Sequence, residues 1–255
     1  MQRVDPMQCV TLSLFRFDSM PSRLWAFAMM GVARLFLPRV RDLGFWKLCG
    51  SGTGEGFTPR LNPDVYAILC TWPDRATAEA RLAETPVFGW YRARAAEDWT
   101  LFLAPVTSRG AWSGVAPFAP EGEMPKGALA ALTRATIRPR ILPRFWKQVP
   151  DIQDVIGDDP NVVFKIGLGE VPLLHQVTFS IWPDTASMAA FARADGPHAR
   201  AIRAVREGQW FREELYARFH ILGDRGSWGG TSPLAALQPA DTQTTDRPTK
   251  GALPA

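Results

Sequence analysis

Eight short apolar runs, rich in β-branched and aromatic residues, punctuate the chain, separated by longer stretches with helical spacing. The first four runs fall at 10–15, 44–49, 64–72 and 99–104, and the second four at 131–138, 161–168, 174–182 and 215–222. Run length and composition predict strands. Helices are predicted over 20–37, over 75–97 with a break at Pro86, over 143–157, and over 185–212 with a break at Gly196-Pro197. Two of the strand runs end on the same three residues, Trp72-Pro73-Asp74 and Trp182-Pro183-Asp184. Proline has no N–H for a sheet ladder, so each strand must stop there. The aspartate that follows is placed to cap the next helix.

The likeness extends to both sides of this signature. Lys47-Leu-Cys-Gly-Ser-Gly52 resembles Lys165-Ile-Gly-Leu-Gly169, Ser108-Arg-Gly-Ala-Trp-Ser-Gly114 resembles Asp224-Arg-Gly-Ser-Trp-Gly-Gly230, and Ser22-Arg-Leu-Trp25 resembles Pro143-Arg-Phe-Trp146. The matches keep their order, which marks an internal duplication. Each copy reads β-α-β-β-α-β, the ferredoxin-like unit. Helices on one face leave the other face of each sheet to be covered by the second copy, so the expected class is α+β, with tandem ferredoxin-like repeats packed as an α+β barrel. The expected divisions are an N-terminal extension at 1–9, the first repeat at 10–114, a Pro/Gly-rich linker at 115–129, the second repeat at 130–230, and a disordered tail at 231–255.

Composition narrows the classes of function. The chain is 46% hydrophobic and 21% charged, which is globular, with ten Trp and fifteen Phe that suit a large apolar pocket. A net charge of +4 without a basic, aromatic-interleaved run excludes a nucleic-acid reader. Three cysteines (Cys9, Cys49 and Cys70) with no C-x-x-C spacing give neither a disulfide framework nor a zinc site, which fits buried, reduced thiols in the cytoplasm. No secretory signal and no run of 18 apolar residues is read, so a transmembrane helix is not expected. Residues 20–37 are apolar on nearly all faces and are flanked by Arg23, Arg34, Arg39 and Arg41. They fit a buried helix or an interfacial segment with arginines at the headgroups, and Trp25 and Phe27 would then carry membrane contact. The glycine-rich stretch 50–56 lacks the Gly-Lys-Ser/Thr and helix start of a phosphate loop.

Three histidines can be weighed one by one. His175 alternates with Val177, Phe179 and Ile181 at a strand start. His220 shares a strand face with Tyr216 and Arg218. His198 follows Asp195-Gly-Pro197, a helix start, and Ile202 and Val205 fall on its apolar face. A helix N-terminus disfavours imidazolium, and a neutral imidazole in apolar surroundings is what an iron ligand requires. His198 is therefore the candidate metal ligand, with His220 as the alternative and a satisfied core histidine as the bland reading. The first copy has no histidine in the matching helix, so the duplication is chemically asymmetric. Arg134 and Arg138 share a strand face, and Lys165 is expected on a neighbouring strand. Together they could pair with propionates or donate to bound oxygen. Arg109 and Arg225 sit in the repeated Arg-Gly-x-Trp turn and fit a structural role.

Residues 10–17, Phe45-Trp-Lys-Leu48, Gly52-Thr-Gly-Glu-Gly-Phe-Thr58, Ser108–Gly114, Gly196-Pro-His-Ala199 and residues 210–219 together resemble the spheroidene monooxygenase family, the acyclic carotenoid 2-ketolases of purple phototrophic bacteria. The resemblance spans about residues 10–235. It implies a haem b enzyme that takes O2 and electrons from reduced ferredoxin and oxidises C-2 of spheroidene and related acyclic carotenoids. Two hydroxylations at one carbon give a geminal diol, and loss of water gives the ketone. Such a substrate implies a cytoplasmic protein peripheral to the inner, photosynthetic membrane. It assigns no residue, so His198, Ile202 and Val205 as haem contacts and Arg134, Arg138 and Lys165 as catalytic groups remain readings of the residues. A non-catalytic carotenoid- or haem-binding protein and a haem peroxidase- or dehydratase-like enzyme are the alternatives on the same fold.

Overall fold

The computed structural model describes residues 7–53, 60–146, 161–193 and 210–237. His198, Ile202 and Val205 lie outside the described residues. Eight antiparallel strands close into one barrel: β1 (Cys9–Arg16), β2 (Trp46–Gly52), β3 (Leu61–Trp72), β4 (Glu97–Gly110), β5 (Leu129–Ile137), β6 (Phe164–Gly169), β7 (His175–Trp182) and β8 (Phe211–Gly226). Their order around the wall is β1-β3-β2-β6-β7-β5-β8-β4. Each copy contributes four neighbouring strands with the same internal order, which bears out the tandem ferredoxin-like barrel. The copies join edge to edge rather than as two stacked sheets. β4 and β8 pair over most of their length, whereas β2 and β6 share only Gly50 with Gly169 and Ser51 with Leu168. Every described strand has a neighbour on both sides, and the ladder is shortest at the β2–β6 seam.

Strand alternation sorts side chains into the barrel or out of it. Val10, Leu12, Leu101, Leu132, Phe179, Ile181 and Phe219 point inward and form the larger core. Outside the first copy lie α1 (Met20–Val32), α2 (Arg75–Glu84) and α3 (Pro86–Arg94). The break at Pro86 is where the sequence reading puts it, because proline fits the first turn of a helix and not its interior. Ala26, Met29, Leu82, Phe88 and Tyr91 from these helices press on the outer face of the first sheet. Both expected caps are present: Asp74 accepts from Thr77 N at 2.7 Å and Asp184 from Ser187 N at 2.7 Å.

The repeated Arg-Gly-x-Trp turns tie the copies together. Gly110 and Gly226 have φ of 100° and 90°. A Cβ at either would collide with a carbonyl of the other copy, Glu214 O or Asp98 O. Ala111 N donates to Glu214 O at 2.9 Å and Ser227 N to Asp98 O at 3.0 Å, a reciprocal clasp.

Three boundaries differ from the sequence reading. Residues 211–212 are strand, not helix end, because Phe211 must pair with Ile137 on β5. The linker is not simply a tether: Phe118 plugs the barrel and stacks edge-on with Phe219, centroids 5.1 Å apart. The tail begins ordered, with Thr231 bridged to Trp228 and Leu234 and Leu237 packed on the core.

Candidate functional site

Strand register identifies equivalent positions in the two copies. Cys9 faces Trp72 as Leu129 faces Trp182, and Thr11 faces Phe102 as Ala131 faces Arg218. Trp46 faces Cys70 as Lys165 faces Ser180. The sequence likeness had set Lys165 against Lys47, one residue out of step. In a strand that slip exchanges the two faces. Lys47 points toward the barrel interior and Lys165 points out.

The two outer faces differ in kind. On the first copy, Phe15, Leu48, Tyr66, Ile68 and Phe102 belong to the cluster under the helices. At the same positions the second copy carries Ala135, Gly167, Gln176, Thr178 and Arg218. Among the described residues, the apolar cluster on this second face centres on Leu129, Trp182 and Met188, at one end. Ala131, Thr133, Ala135, Gly167, Thr178 and Ser180 thus make a floor of small side chains across β5, β6 and β7 (Gly167 pairs with Thr178, and Thr178 with Thr133). Four strands spaced about 4.8 Å apart give the second face a breadth of roughly 14 Å. Lys165 stands on its β6 border; Arg218 and His220, both exposed, stand on its β8 border. The face can seat a flat, apolar body with anionic groups at its margins.

The predicted residues are distributed as follows. Arg134 and Lys165 are not brought together: β7 separates their strands, and they face opposite sides of the wall. Arg134 points inward and is 1% exposed, at the position that Leu14 fills in the first copy. Arg138 follows β5, and its Nε donates to Phe211 O at 3.2 Å. His175 points inward at the barrel rim, and His220 points outward on β8.

Sequence reasoning missed the polar cluster that holds Arg134. Glu170, just past β6, accepts from Trp112 Nε1 at 2.6 Å and pairs with Lys47 Nζ at 2.8 Å. Arg134 Nη2 lies 3.6 Å from it and His175 Nδ1 3.3 Å. Arg134 also pairs with Glu213, which accepts from Ser113 N and Gly114 N of the first copy's turn at 2.9 and 2.7 Å. Burial alone would raise the Glu170 carboxyl, but His175, Lys47 and Trp112 overcome it and hold it at about 2. The first copy echoes this design with Glu97, which accepts from Gly230 N at 2.7 Å and pairs with Arg16 at 2.9 Å. Only the repeated turn hinted at these carboxylates, because their partners lie about a hundred residues away in sequence. Among the described residues, no group of three or more His, Cys, Asp or Glu side chains could hold a metal ion. The three cysteines are free and buried, and burial pushes the Cys9 thiol up to about 12.

A pocket of about 260 Å3 lies outside the wall at the β2–β6 seam, between Gly50, Gly169 and the α1 residues Phe27 and Met30. The described residues contain no helix long and apolar enough to cross a membrane. On α1, however, Leu24 and Phe27 are 64% and 67% exposed, in line with exposed Met20 and Leu35. Trp25 is half-buried and packs edge-on against Tyr91, centroids 5.2 Å apart, so Phe27 is the more exposed of the two.

No family model matches the chain. It is 52% identical over 236 residues to the spheroidene monooxygenase of Rhodobacter capsulatus, covering 90% of this chain and 97% of that one. It is 47% identical over 244 residues to the spheroidene monooxygenase of Cereibacter sphaeroides, covering 95% and 75%. Among solved structures, an aldoxime dehydratase in complex with butyraldoxime superposes with a TM-score of 0.59 at 12% identity, covering 91% of this chain and 86% of that one, a likeness of fold alone.

Proposed function

The chain belongs to the spheroidene monooxygenase family, and on that premise we propose that it is a haem-dependent monooxygenase that oxidises acyclic carotenoids such as spheroidene. The observation that carries the cofactor assignment is the contrast between the two outer faces. Where the first copy packs Phe15, Leu48 and Ile68 under helices, the second has Ala135, Gly167 and Thr178. Protein interiors are close-packed, so a floor of small side chains calls for a filling of its own. A haem would meet that demand, with Lys165 and Arg218 on the borders of the floor to pair with its propionates. Bound haem iron would supply the O2 chemistry.

The chain's own residues then have distinct tasks. On the sequence reading, His198 would ligate the iron and Ile202 and Val205 would contact the cofactor, and His220 on the β8 border is the alternative ligand. Lys165 and Arg218 would hold its carboxylates. Arg134 faces the other side of the wall, and we assign it to fixing the barrel end through Glu170 and Glu213 rather than to the reaction; Arg138 is assigned to the β5–β8 junction. The substrate loses one C–H bond for each O2 consumed, with two electrons and two protons delivered each time. Two such turns at one carbon and loss of water give the ketone. Reduced ferredoxin is the proposed electron source.

A carotenoid dissolves in bilayers, so the enzyme must meet one. The apolar stripe of Met20, Leu24 and Phe27 on α1, continued by Leu35 just past its end, with Arg23, Arg34, Arg39 and Arg41 nearby, supports peripheral contact at the inner membrane. Burial of one such side chain contributes about 1.5–3 kcal/mol. Leu24→Ser with Phe27→Ser is therefore expected to lower co-flotation with anionic liposomes at least tenfold. Unchanged flotation rejects α1 as the contact. The oxidation itself is tested by incubating haem-loaded protein with spheroidene, O2 and reduced ferredoxin. Products heavier by one oxygen atom, then the ketone, are expected, and recovery of unmodified spheroidene alone rejects the reading.

A further inference from the structure

The seam between β2 and β6 has a feature that neither the family nor the cofactor assignment explains. The strands meet at Gly50 and Gly169, so the outer surface of the wall has no side chain on either side of the junction. The pocket lies directly over this bare stretch, under Phe27 and Met30. Gly50 pairs with Tyr66 on one side. On the other, the β6–β7 ladder ends where Leu168 pairs with Val177; Gly169 and Gln176 both line the pocket, and Gln176 pairs with Ala135. The lining thus runs from Tyr66 over Gly50 and Gly169 to Gln176, and Gln176 leads on to its strand partner Ala135. Its near end lies beneath Phe27, a member of the exposed apolar stripe of α1. Its far end is part of the small-residue floor.

We propose that this seam groove is the passage by which the apolar end of a long polyene moves from a bilayer beneath α1 to the second copy's floor. The proposal rests on the reading of that floor as the oxidation site. A polyene is the occupant that fits, because it is narrow, extended and apolar, and because the groove joins a surface suited to lipid with a face suited to a planar cofactor. Glycine at both sides of the seam keeps the width open, while Tyr66 and Gln176 on the flanking strands give it walls with a single polar end group each, a hydroxyl and an amide.

The groove can be plugged from either side. A Cβ on Gly50 would come no nearer than 4.0 Å to Tyr66 Cε1, so Gly50→Leu fits the backbone and fills the groove from the floor. Met30→Trp fills it from the α1 side. The full-length protein is mixed with phosphatidylcholine liposomes carrying spheroidene, separated from them, and its retained visible absorption is read. This readout needs neither turnover nor haem, so it separates the passage from the oxidation reading. Wild type is expected to retain the polyene, and both variants to retain at least tenfold less, with haem uptake and melting temperature unchanged. Wild-type retention in either folded variant overturns the passage, and so does a parallel loss of haem uptake, which would mean that the plug acts on the cofactor instead.

Discussion

Refilling the second outer face with the first copy's side chains, Ala135→Phe together with Thr178→Ile, is expected to abolish haem uptake while leaving the barrel closed. The substituted residues are those that the equivalent positions Phe15 and Ile68 already carry on the same fold. Neither faces the inner core, so strand pairing is untouched. If the floor is a cofactor seat, the new side chains occupy the ring's volume, and the haem-free chain keeps its melting temperature or gains. If protein already packs the floor, overpacking should lower stability by about 1–3 kcal/mol and leave haem uptake as it was. Haem titration followed by absorbance, beside a thermal melt, tells the two apart.

The second large effect concerns the barrel end. Arg134→Leu installs the residue found at the equivalent position, Leu14, yet a loss of about 3–5 kcal/mol is expected. The leucine suits the first copy because Glu97, at the position equivalent to Glu213, pairs there with Arg16, whereas Glu170 and Glu213 both pair with Arg134. Removing one member of a buried charge set leaves the others underpaired. For a chain of this size the melting temperature should fall by roughly 6–20 °C. The same cluster sets an acid limit. Glu170 is held at about 2 when folded, below the usual carboxylate range, so its contribution is fully present above about pH 4.5 and fades as pH falls toward 2. Glu170→Gln should flatten that acid decline and lower stability at neutral pH. An Arg134→Leu protein that melts with wild type would remove the cluster's structural role.

Much of the fold was legible because the duplication writes its punctuation twice. Trp72-Pro73-Asp74 and Trp182-Pro183-Asp184 locate two strand ends and two helix caps, and all eight strands fall on the predicted runs. What local pattern could not supply was register. Lys47 and Lys165 look equivalent as text, yet one faces in and the other out, and only pairing across strands reveals the one-residue slip. Burial of a charge was equally hidden. Arg134 follows Ala130 and Leu132 in the inward alternation, but a strand arginine reads as solvated until Glu170 and Glu213 are seen beside it. The candidate site follows the same logic. The sequence pointed to the second copy through His198, with His220 and the basic residues Arg134, Arg138 and Lys165 beside it in the reading, whereas the small floor appears only when the two sheets are compared position by position.

The central claim, a haem seat in the second copy, is tested most directly by titrating haem into purified protein and recording the Soret band for wild type, His198→Ala and His220→Ala. Saturation at one haem per chain in wild type and His220→Ala, with the band lost or strongly altered in His198→Ala, is the predicted result. Loss in His220→Ala alone would move the ligand to β8, and a wild-type chain that develops no Soret band would contradict the claim.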